Sequence, residues 1–208
     1  YNEGGYDISS IYMDDGYLFF NVEPVEVRVE NDSIDLEIRI YEGDQATIGK
    51  VSVSGNTKTN DHVVIREMYT KPGQLFSRSD VIRTTRELAA LGYFNAETLN
   101  PNIQPDPTDG SVDIEYIVEE TSSDQIELSA GWGYNKLILT LGLTLNNFSF
   151  RNMFKKGAWT PLPGGDGQKL SLRVQTLGTR YLYYGASFTE PWLGGKKPNA
   201  FTASIYHS

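Results

Sequence analysis

The chain has 208 residues, a formal net charge of −9 and no cysteine. The negative charge argues against a nucleic-acid partner, because phosphate binding requires a basic surface, and the lack of cysteine excludes disulfides and thiolate metal sites. No run of about 18 apolar residues occurs, which excludes a transmembrane helix. Most of the excess acid precedes residue 125, whereas Lys and Arg outnumber Asp and Glu after it. This asymmetry indicates parts that lie in different surroundings.

The part before residue 125 contains an internal repeat. Ser33 to Glu37 (SIDLE) returns as Ser111 to Glu115 (SVDIE), 78 positions later, and Gly16-Tyr17 returns as Gly92-Tyr93, 76 positions later. Two matches in the same order predict duplicated domains of about this size.

The first copy begins late. Residues 7–15 predict a helix that ends at Gly16, followed by strands near 17–29 and 33–41. The strand and helix that open the second copy have no counterpart here. Because Tyr1 is preceded by neither an initiating methionine nor a signal peptide, we expect a fragment or the ordered portion of a longer protein.

The second copy predicts the complete order β-α-α-β-β. Polar caps and a C-terminal glycine delimit its helices. Its predicted elements are a strand at 48–54 with a turn at Gly55-Asn56, a helix capped by Asn60 or Asp61 with Val64, Ile65 and Met68 on one face, a helix opened by Ser77 or Ser79 and ended by Gly92, and strands near 93–104 and 111–119.

After residue 125, five runs alternate apolar with polar or small residues, as strands with two unlike faces do. The runs are 125–134, 137–145, 169–175, 182–189 and 201–206. Asn135-Lys136 is predicted as the two-residue connection of the first hairpin.

One such hairpin fits either a soluble sandwich or a transmembrane β-barrel, whose strands need about 9 to 11 residues. Five successive strands favour the barrel, as do aromatic residues near the strand ends, which are typical of interfacial girdles. These aromatic residues are Phe148, Phe150, Phe154, Trp159, Tyr181 and Trp192. Five strands are fewer than the roughly eight of the smallest single-chain bacterial barrels.

No catalytic, cofactor or metal site is predicted, and we expect no enzyme. The two histidines, His62 and His207, fall in different predicted domains, and no cysteine can complete a cluster or dyad with them. Asp14-Asp15 and Glu119-Glu120 are interpreted as solvated surface. Residues 164–167 (GGDG) lack the setting of a phosphate loop, and residues 106–110 predict a turn rather than a calcium loop.

The second copy resembles a POTRA domain, through Leu91-Gly92-Tyr93-Phe94 after its second helix and Val51 to Asn56 in its first strand and turn. The segment that follows resembles the first barrel strands of the BamA family of outer-membrane β-barrel assembly proteins, through Asn146-Asn147-Phe148 and Thr189-Glu190-Pro191-Trp192. One departure is the insert 155–167, rich in Gly and Pro, where the family pattern leads us to expect a short periplasmic turn.

This resemblance implies α+β POTRA domains followed by antiparallel strands of a partial transmembrane β-barrel. The implied domains are the C-terminal part of a POTRA domain (1–44), a complete POTRA domain (45–121) and about five barrel strands (122–208). It implies an outer-membrane location in a Gram-negative bacterium, with the POTRA domains in the periplasm.

The function that the resemblance implies is an insertase that folds client barrels at a lateral gate. Implied partners are unfolded outer-membrane proteins, accessory outer-membrane lipoproteins and outer-membrane lipid. The alternatives are a two-partner secretion transporter that exports a polypeptide, and a soluble periplasmic protein-binding module.

Two stretches are candidate sites for client pairing. In the family the first barrel strand forms the gate, and Gly131 and Gly133 would weaken this strand and allow close backbone approach; equally, they would fit a strongly curved strand. The predicted gate residues are Gln125, Ile126, Glu127, Leu128, Ser129, Ala130, Gly131, Trp132, Gly133 and Tyr134. A second possible edge is the POTRA strand near 93–104, because Pro101 and Pro105 are tolerated mainly at sheet edges. The opposite interpretation is that these prolines prevent a further strand from pairing with this edge. Its residues are Tyr93, Phe94, Asn95, Ala96, Glu97, Thr98 and Leu99.

Overall fold

The computed structural model describes residues 7–106, 108–159, 162–178 and 181–208. Parts of three predicted features lie outside the described residues. They are Pro107 of the turn at 105–110, Thr160 and Pro161 of the insert, and Thr179 and Arg180 of the turn at 177–180. The chain start at Tyr1 also lies outside them.

The chain divides into two compact units. The first comprises the chain up to Ser54, Glu67–Ala90 and Ala96–Val118, and the second comprises Gly55–Arg66, Leu91–Asn95 and Glu119–Ser208. The second unit therefore joins two loops of the repeat region to the strands that follow residue 125.

The first copy of the repeat consists of one helix and one hairpin in its described part. Helix α1 (Ile8–Asp14) begins at Asp7, whose carboxylate accepts a hydrogen bond of 2.7 Å from the Ser10 amide. Strands β1 (Asn21–Glu30) and β2 (Ser33–Tyr41) pair antiparallel. Among the described residues β2 has no other strand beside it, and its apolar side chains are exposed.

The second copy has the predicted order β-α-α-β-β. Its elements are β3 (Thr47–Ser54), α2 (Asp61–Ile65), α3 (Arg78–Ala90), β4 (Asn100–Asp106) and β5 (Ser111–Ile117). In its sheet β5 is central, parallel to β3 and antiparallel to β4. Val112, Ile114 and Tyr116 of β5 are fully buried, so every second residue of this strand belongs to the core.

Helix α3 begins and ends as the sequence predicts. The Ser77 hydroxyl accepts a hydrogen bond from the Asp80 amide, and Gly92 has a φ of +72° just beyond the last turn, where glycine is favoured. The Asp14 carboxylate also accepts a hydrogen bond of 2.7 Å from the Ser79 amide. Asp14 is exposed, as predicted, and its carboxylate also stabilises the positive end of a helix.

Two predicted bounds in this copy are wrong. Helix α2 has only five residues and ends before Met68; Val63 and Val64 are buried, whereas Ile65 is 53% exposed. Strand β4 begins at Asn100 rather than near Tyr93. The intervening residues form turns, because the chain must reverse after Gly92.

The strands after residue 125 form a five-stranded antiparallel meander. They are β6 (Gln125–Gly133), β7 (Lys136–Phe148), β8 (Gln168–Leu177), β9 (Tyr181–Glu190) and β10 (Phe201–His207). Their order in the sheet is β10-β9-β8-β7-β6, so β6 and β10 are its two edges. The turn between β7 and β8 contains a short 3₁₀-helix, Asn152–Phe154.

The first hairpin turns one residue earlier than predicted. Its two connecting residues are Tyr134 and Asn135, which both have positive φ, of 52° and 61°. Lys136 is the first residue of β7 and pairs with Gly133. Two successive residues with positive φ are typical of the turn that matches the twist of antiparallel strands.

The meander has one apolar and one polar face. In the register, Leu128 lies beside Leu141, Leu141 beside Val174, and Val174 beside Tyr184. These four side chains are 82%, 52%, 40% and 48% exposed. Among the described residues, no helix combines the length and the apolar character needed to span a membrane.

Candidate functional site

The first candidate site is the free edge of strand β6. This strand pairs with β7 from Gln125 to Gly133, and within the described residues no strand lies on its other side. Its side chains are exposed over nearly the whole length. The edge therefore carries backbone donors and acceptors that a further extended chain can pair with.

The apolar side chains of β6 are largely exposed. Ile126, Leu128 and Trp132 are 78%, 82% and 73% exposed, and Tyr134 in the turn is 90% exposed. All ten predicted gate residues thus lie together, nine in one edge strand and Tyr134 directly after it. Client pairing at this edge stays a prediction.

The two glycines of β6 differ in their surroundings. A Cβ at Gly131 would meet nothing within 4 Å, whereas one at Gly133 would lie 2.9 Å from the Ile138 Cδ1 atom. Gly131 therefore leaves open space next to the strand, and Gly133 accommodates the isoleucine of the neighbouring strand.

A salt bridge crosses the polar face next to this edge. The Glu127 carboxylate of β6 and the Arg173 guanidinium of β8 are 3.2 Å apart. Gly142 of the intervening strand pairs with both residues in the register, and a Cβ there would lie 3.2 Å from the Glu127 side chain. The missing side chain at Gly142 thus lets the two charges meet across a strand.

The second candidate site is the junction, which we define as the contact of loop 57–60, Tyr93 and Glu120 with Asn147, Ser149 and residues 164–167. All of these residues belong to the second unit. The Asn60 amide donates a hydrogen bond of 2.9 Å to the Gly165 carbonyl. The Asn60 side chain donates to the same carbonyl at 3.0 Å and to the Asp166 carboxylate at 2.9 Å.

Asp166 is the buried carboxylate of the junction, with only 8% of its surface exposed. The Ser149 hydroxyl donates a hydrogen bond of 2.6 Å to it. The His62 Nε2 atom lies 3.8 Å from its other oxygen. Hydrogen bonds to both oxygens satisfy the charge that burial would otherwise penalise.

Asn147 and Tyr93 complete the junction. The Asn147 side chain donates to the Thr59 hydroxyl at 2.8 Å and accepts from the Gly167 amide at 2.9 Å. The Tyr93 hydroxyl donates to the Gly167 carbonyl at 3.2 Å. Two loops of the repeat region are therefore bound to one turn of the meander by backbone and side-chain hydrogen bonds together.

Glu120 stabilises the conformation of loop 57–60. Its carboxylate accepts hydrogen bonds from the Thr57 hydroxyl at 2.7 Å, the Lys58 amide at 2.8 Å and the Thr59 amide at 2.6 Å. Partial burial acts to raise the pKa of Glu120, but these hydrogen bonds outweigh it and the pKa lies below the ordinary value of 4.5. The interpretation of Glu120 as solvated surface is therefore wrong, whereas Glu119 is exposed.

The lowered pKa predicts acid sensitivity of this loop. Because the folded-state pKa is depressed, the stabilisation is complete above the ordinary value and is lost as the pH falls through the folded-state pKa. We expect Glu120→Gln to lower the urea midpoint of unfolding at about pH 7. As the pH falls, the midpoint of this variant should decrease less than that of the wild type. Glu119→Gln, with the same change of charge on an exposed neighbour, is the control and should behave like the wild type; equal effects of the two substitutions would contradict the role of Glu120.

The second predicted pairing stretch is not a strand. Tyr93, Phe94 and Leu99 are buried, Phe94 forms an isolated bridge with Glu120, and the strand starts only at Asn100. Pro101 and Pro105 do lie in the edge strand β4. Client pairing at residues 93–99 stays untested, and Tyr93 belongs to the junction.

Among the described residues no group of three or more His, Asp or Glu side chains could hold a metal ion. His62 lies beside Asp166, and His207 stacks on Tyr184 at the end of β10.

Comparison with known proteins shows which proteins the chain resembles. The model for POTRA, described as surface antigen variable number repeat, matches residues 46–121. The outer membrane protein assembly factor BamA of Neorickettsia risticii is 28% identical over 86% of this chain, and that of Neisseria meningitidis serogroup B is 26% identical over 85%. The crystal structure of BamA from Haemophilus ducreyi lacking POTRA domains 1–3 superposes on 96% of the chain with a TM-score of 0.76 at 24% identity. Over most of its length the chain is therefore similar to BamA proteins, and residues 46–121 match the POTRA model.

The matches also indicate a cell compartment. The POTRA match and the BamA relatives indicate an outer-membrane protein with POTRA domains in the periplasm. In fold, the meander corresponds to strands of the BamA barrel. The chain spans about a fifth of the two BamA relatives, 22% and 20% of their length, and 34% of the solved structure.

Proposed function

We propose that this chain belongs to an insertase that folds and inserts client β-barrel proteins into the outer membrane by strand pairing at β6. The observation that carries the proposal is the position of β6, an edge strand whose apolar side chains are exposed. Such an apolar face suits a strand of a membrane-embedded barrel, with this face toward lipid. In lipid, unpaired backbone groups are costly, so this edge needs a partner strand. The closing strand of the same barrel and an incoming client strand can compete for it.

Pairing through the backbone explains how one edge serves many clients. Main-chain hydrogen bonds form with any extended segment, and alternating side chains then match the apolar and polar faces. This mechanism involves no covalent chemistry and no cofactor, so the proposed protein is not an enzyme. Its partners are unfolded outer-membrane proteins and, through the POTRA domains, accessory outer-membrane lipoproteins. The proposal keeps the division into domains at 1–44, 45–121 and 122–208.

Adjacent proline substitutions test the proposal in the intact outer-membrane protein. In an antiparallel pair, successive residues direct their amides alternately toward the partner strand and away from it. Of Ser129 and Ala130, one therefore directs its amide toward β7 and the other directs it toward the free edge. Proline at the first of these positions breaks the hydrogen bonds between β6 and β7, whereas proline at the second removes a donor from the free edge only.

The measurement is the folding of an unfolded client barrel by the intact protein in lipid vesicles, scored by the gel mobility of the folded client. We expect the free-edge substitution to preserve assembly of the protein itself and to reduce client folding by about tenfold, as the loss of one buried hydrogen bond of about 1.4 kcal/mol would. Full client folding by both proline variants would contradict the proposal. So would a wild-type protein that translocates a polypeptide but folds no client.

A further inference from the structure

The turn between β7 and β8 carries an exposed aromatic cluster next to basic side chains. Phe150, Phe154 and Trp159 are 50%, 72% and 54% exposed. The Phe150 and Phe154 rings pack edge to face, with centroids 5.4 Å apart. The Trp159 indole donates a hydrogen bond of 3.2 Å to the Met153 carbonyl, which fixes it on the same short 3₁₀ turn.

This cluster continues the membrane-facing side of the sheet. The Phe150 ring lies 6.1 Å from that of Phe188, and Phe188 pairs with Leu170 and Ala203 in the apolar row. The exposed aromatic surface is therefore not an isolated patch of a loop. It extends the apolar face of the sheet beyond the end of the strands.

Three cations lie in the same segment as the aromatic cluster. Phe150 to Trp159 contains Arg151, Lys155 and Lys156 and no acidic residue, in a chain whose net charge is −9. All three side chains are exposed, and within the described residues none of them forms an ion pair. A local positive charge in an acidic chain attracts an anionic surface.

The position of the turn indicates which anionic surface it meets. Strand β6 leads up from the POTRA domain, so the end of β7 and the start of β8 lie at the periplasmic end of the meander. Aromatic side chains at the boundary of a bilayer sit at the level of the headgroups, and nearby Lys and Arg attract anionic lipids. For a protein partner we would instead expect a surface that is separate from the apolar row of the sheet.

We propose that residues 150–159 form a lipid-binding foot that seats Phe150, Phe154 and Trp159 in the periplasmic leaflet and holds anionic phospholipid headgroups with Arg151, Lys155 and Lys156. The foot holds the junction next to the membrane surface, because the same turn continues into Gly165 and Asp166. In addition to an aromatic girdle, the foot has cations that bind anionic headgroups. This role does not depend on insertase activity.

Two paired measurements on the intact protein in vesicles test it. These 208 residues contain no cysteine. With any cysteine elsewhere in the intact protein replaced by serine, Phe154→Cys carries an environment-sensitive dye, and Val27→Cys, 62% exposed on β1, carries it as the control. We expect brominated lipids to quench the dye at position 154 and not at position 27. A dye at position 154 that lipid bromines fail to quench would overturn the proposal, whether water or a protein partner covers it.

The second measurement is the enrichment of a fluorescent phosphatidylglycerol around the protein in phosphatidylethanolamine vesicles. Lys155→Gln with Lys156→Gln should lower this enrichment by up to about fivefold for each lysine, since one juxtamembrane cation contributes about 1 kcal/mol. Lys196→Gln with Lys197→Gln, in the turn after β9, changes the net charge equally and should have the smaller effect. Equal effects of the two pairs would show general electrostatic attraction and overturn the assignment to residues 150–159.

Discussion

Replacing Gly165 with alanine is expected to open the junction. Gly165 has a φ of +116°, and a Cβ at this position would lie 2.5 Å from the Lys58 carbonyl oxygen. Left-handed backbone strain of about 1–2 kcal/mol adds to an overlap of about 1–3 kcal/mol with a backbone atom that cannot rotate away. The hydrogen bonds of Asn60 to the Gly165 carbonyl and the Asp166 carboxylate would be lost together.

Hydrogen exchange measures this opening in the intact protein. We expect the amides of residues 55–66 to exchange roughly 30-fold faster or more, which corresponds to about 2 kcal/mol or more of lost protection. Gly157→Ala is the matched control in the same turn, because Gly157 has a φ of +89° and a Cβ there would meet nothing within 4 Å. If both substitutions accelerate exchange equally, strain within the turn and not contact with loop 57–60 is responsible.

Leu128→Arg is expected to prevent assembly of the protein into the membrane. Leu128 is 82% exposed and lies in the apolar row with Leu141, Val174 and Tyr184. A cation on the lipid-facing side of a barrel strand costs about 2–4 kcal/mol near the middle of the bilayer. The yield of heat-modifiable intact protein in the outer membrane measures the effect.

The adjacent residue supplies the control for this substitution. Ser129 pairs with Thr140 on the polar face, so Ser129→Arg adds the same charge to the opposite side of the same strand. We expect it to lower the yield only slightly. A larger effect of Ser129→Arg than of Leu128→Arg would reverse the assignment of the two faces.

Local patterns in the sequence predict most of the fold. The alternation in 33–41 predicts β2 with its observed bounds, because a strand with one apolar face shows a period of two. The repeat of SIDLE as SVDIE correctly marks two equivalent strands, β2 and β5. Turn positions are less certain: the first hairpin turns at Tyr134-Asn135 because the tyrosine adopts positive φ, which few sequence signals predict.

The junction could not be predicted from these patterns. Asn60 and Asp166 are 106 positions apart, and each lies in a loop without periodicity. In sequence, residues 164–167 resemble only a phosphate loop, and they lack the structural setting of such a loop. A useful signal was the insert itself, because a long Gly-rich turn in place of a short one indicates a segment with contacts of its own.

The most direct test of the central claim is site-specific crosslinking in cells, with a photoreactive residue at Ser129 or Gly131 of the intact protein. We expect crosslinks to the C-terminal strands of many different outer-membrane barrel proteins. Gln175 in the interior strand β8, paired on both sides with Thr140 and Tyr183, is the control position and should trap no client. Crosslinks from β6 to a single secreted partner, or to no client, would contradict strand pairing at this edge.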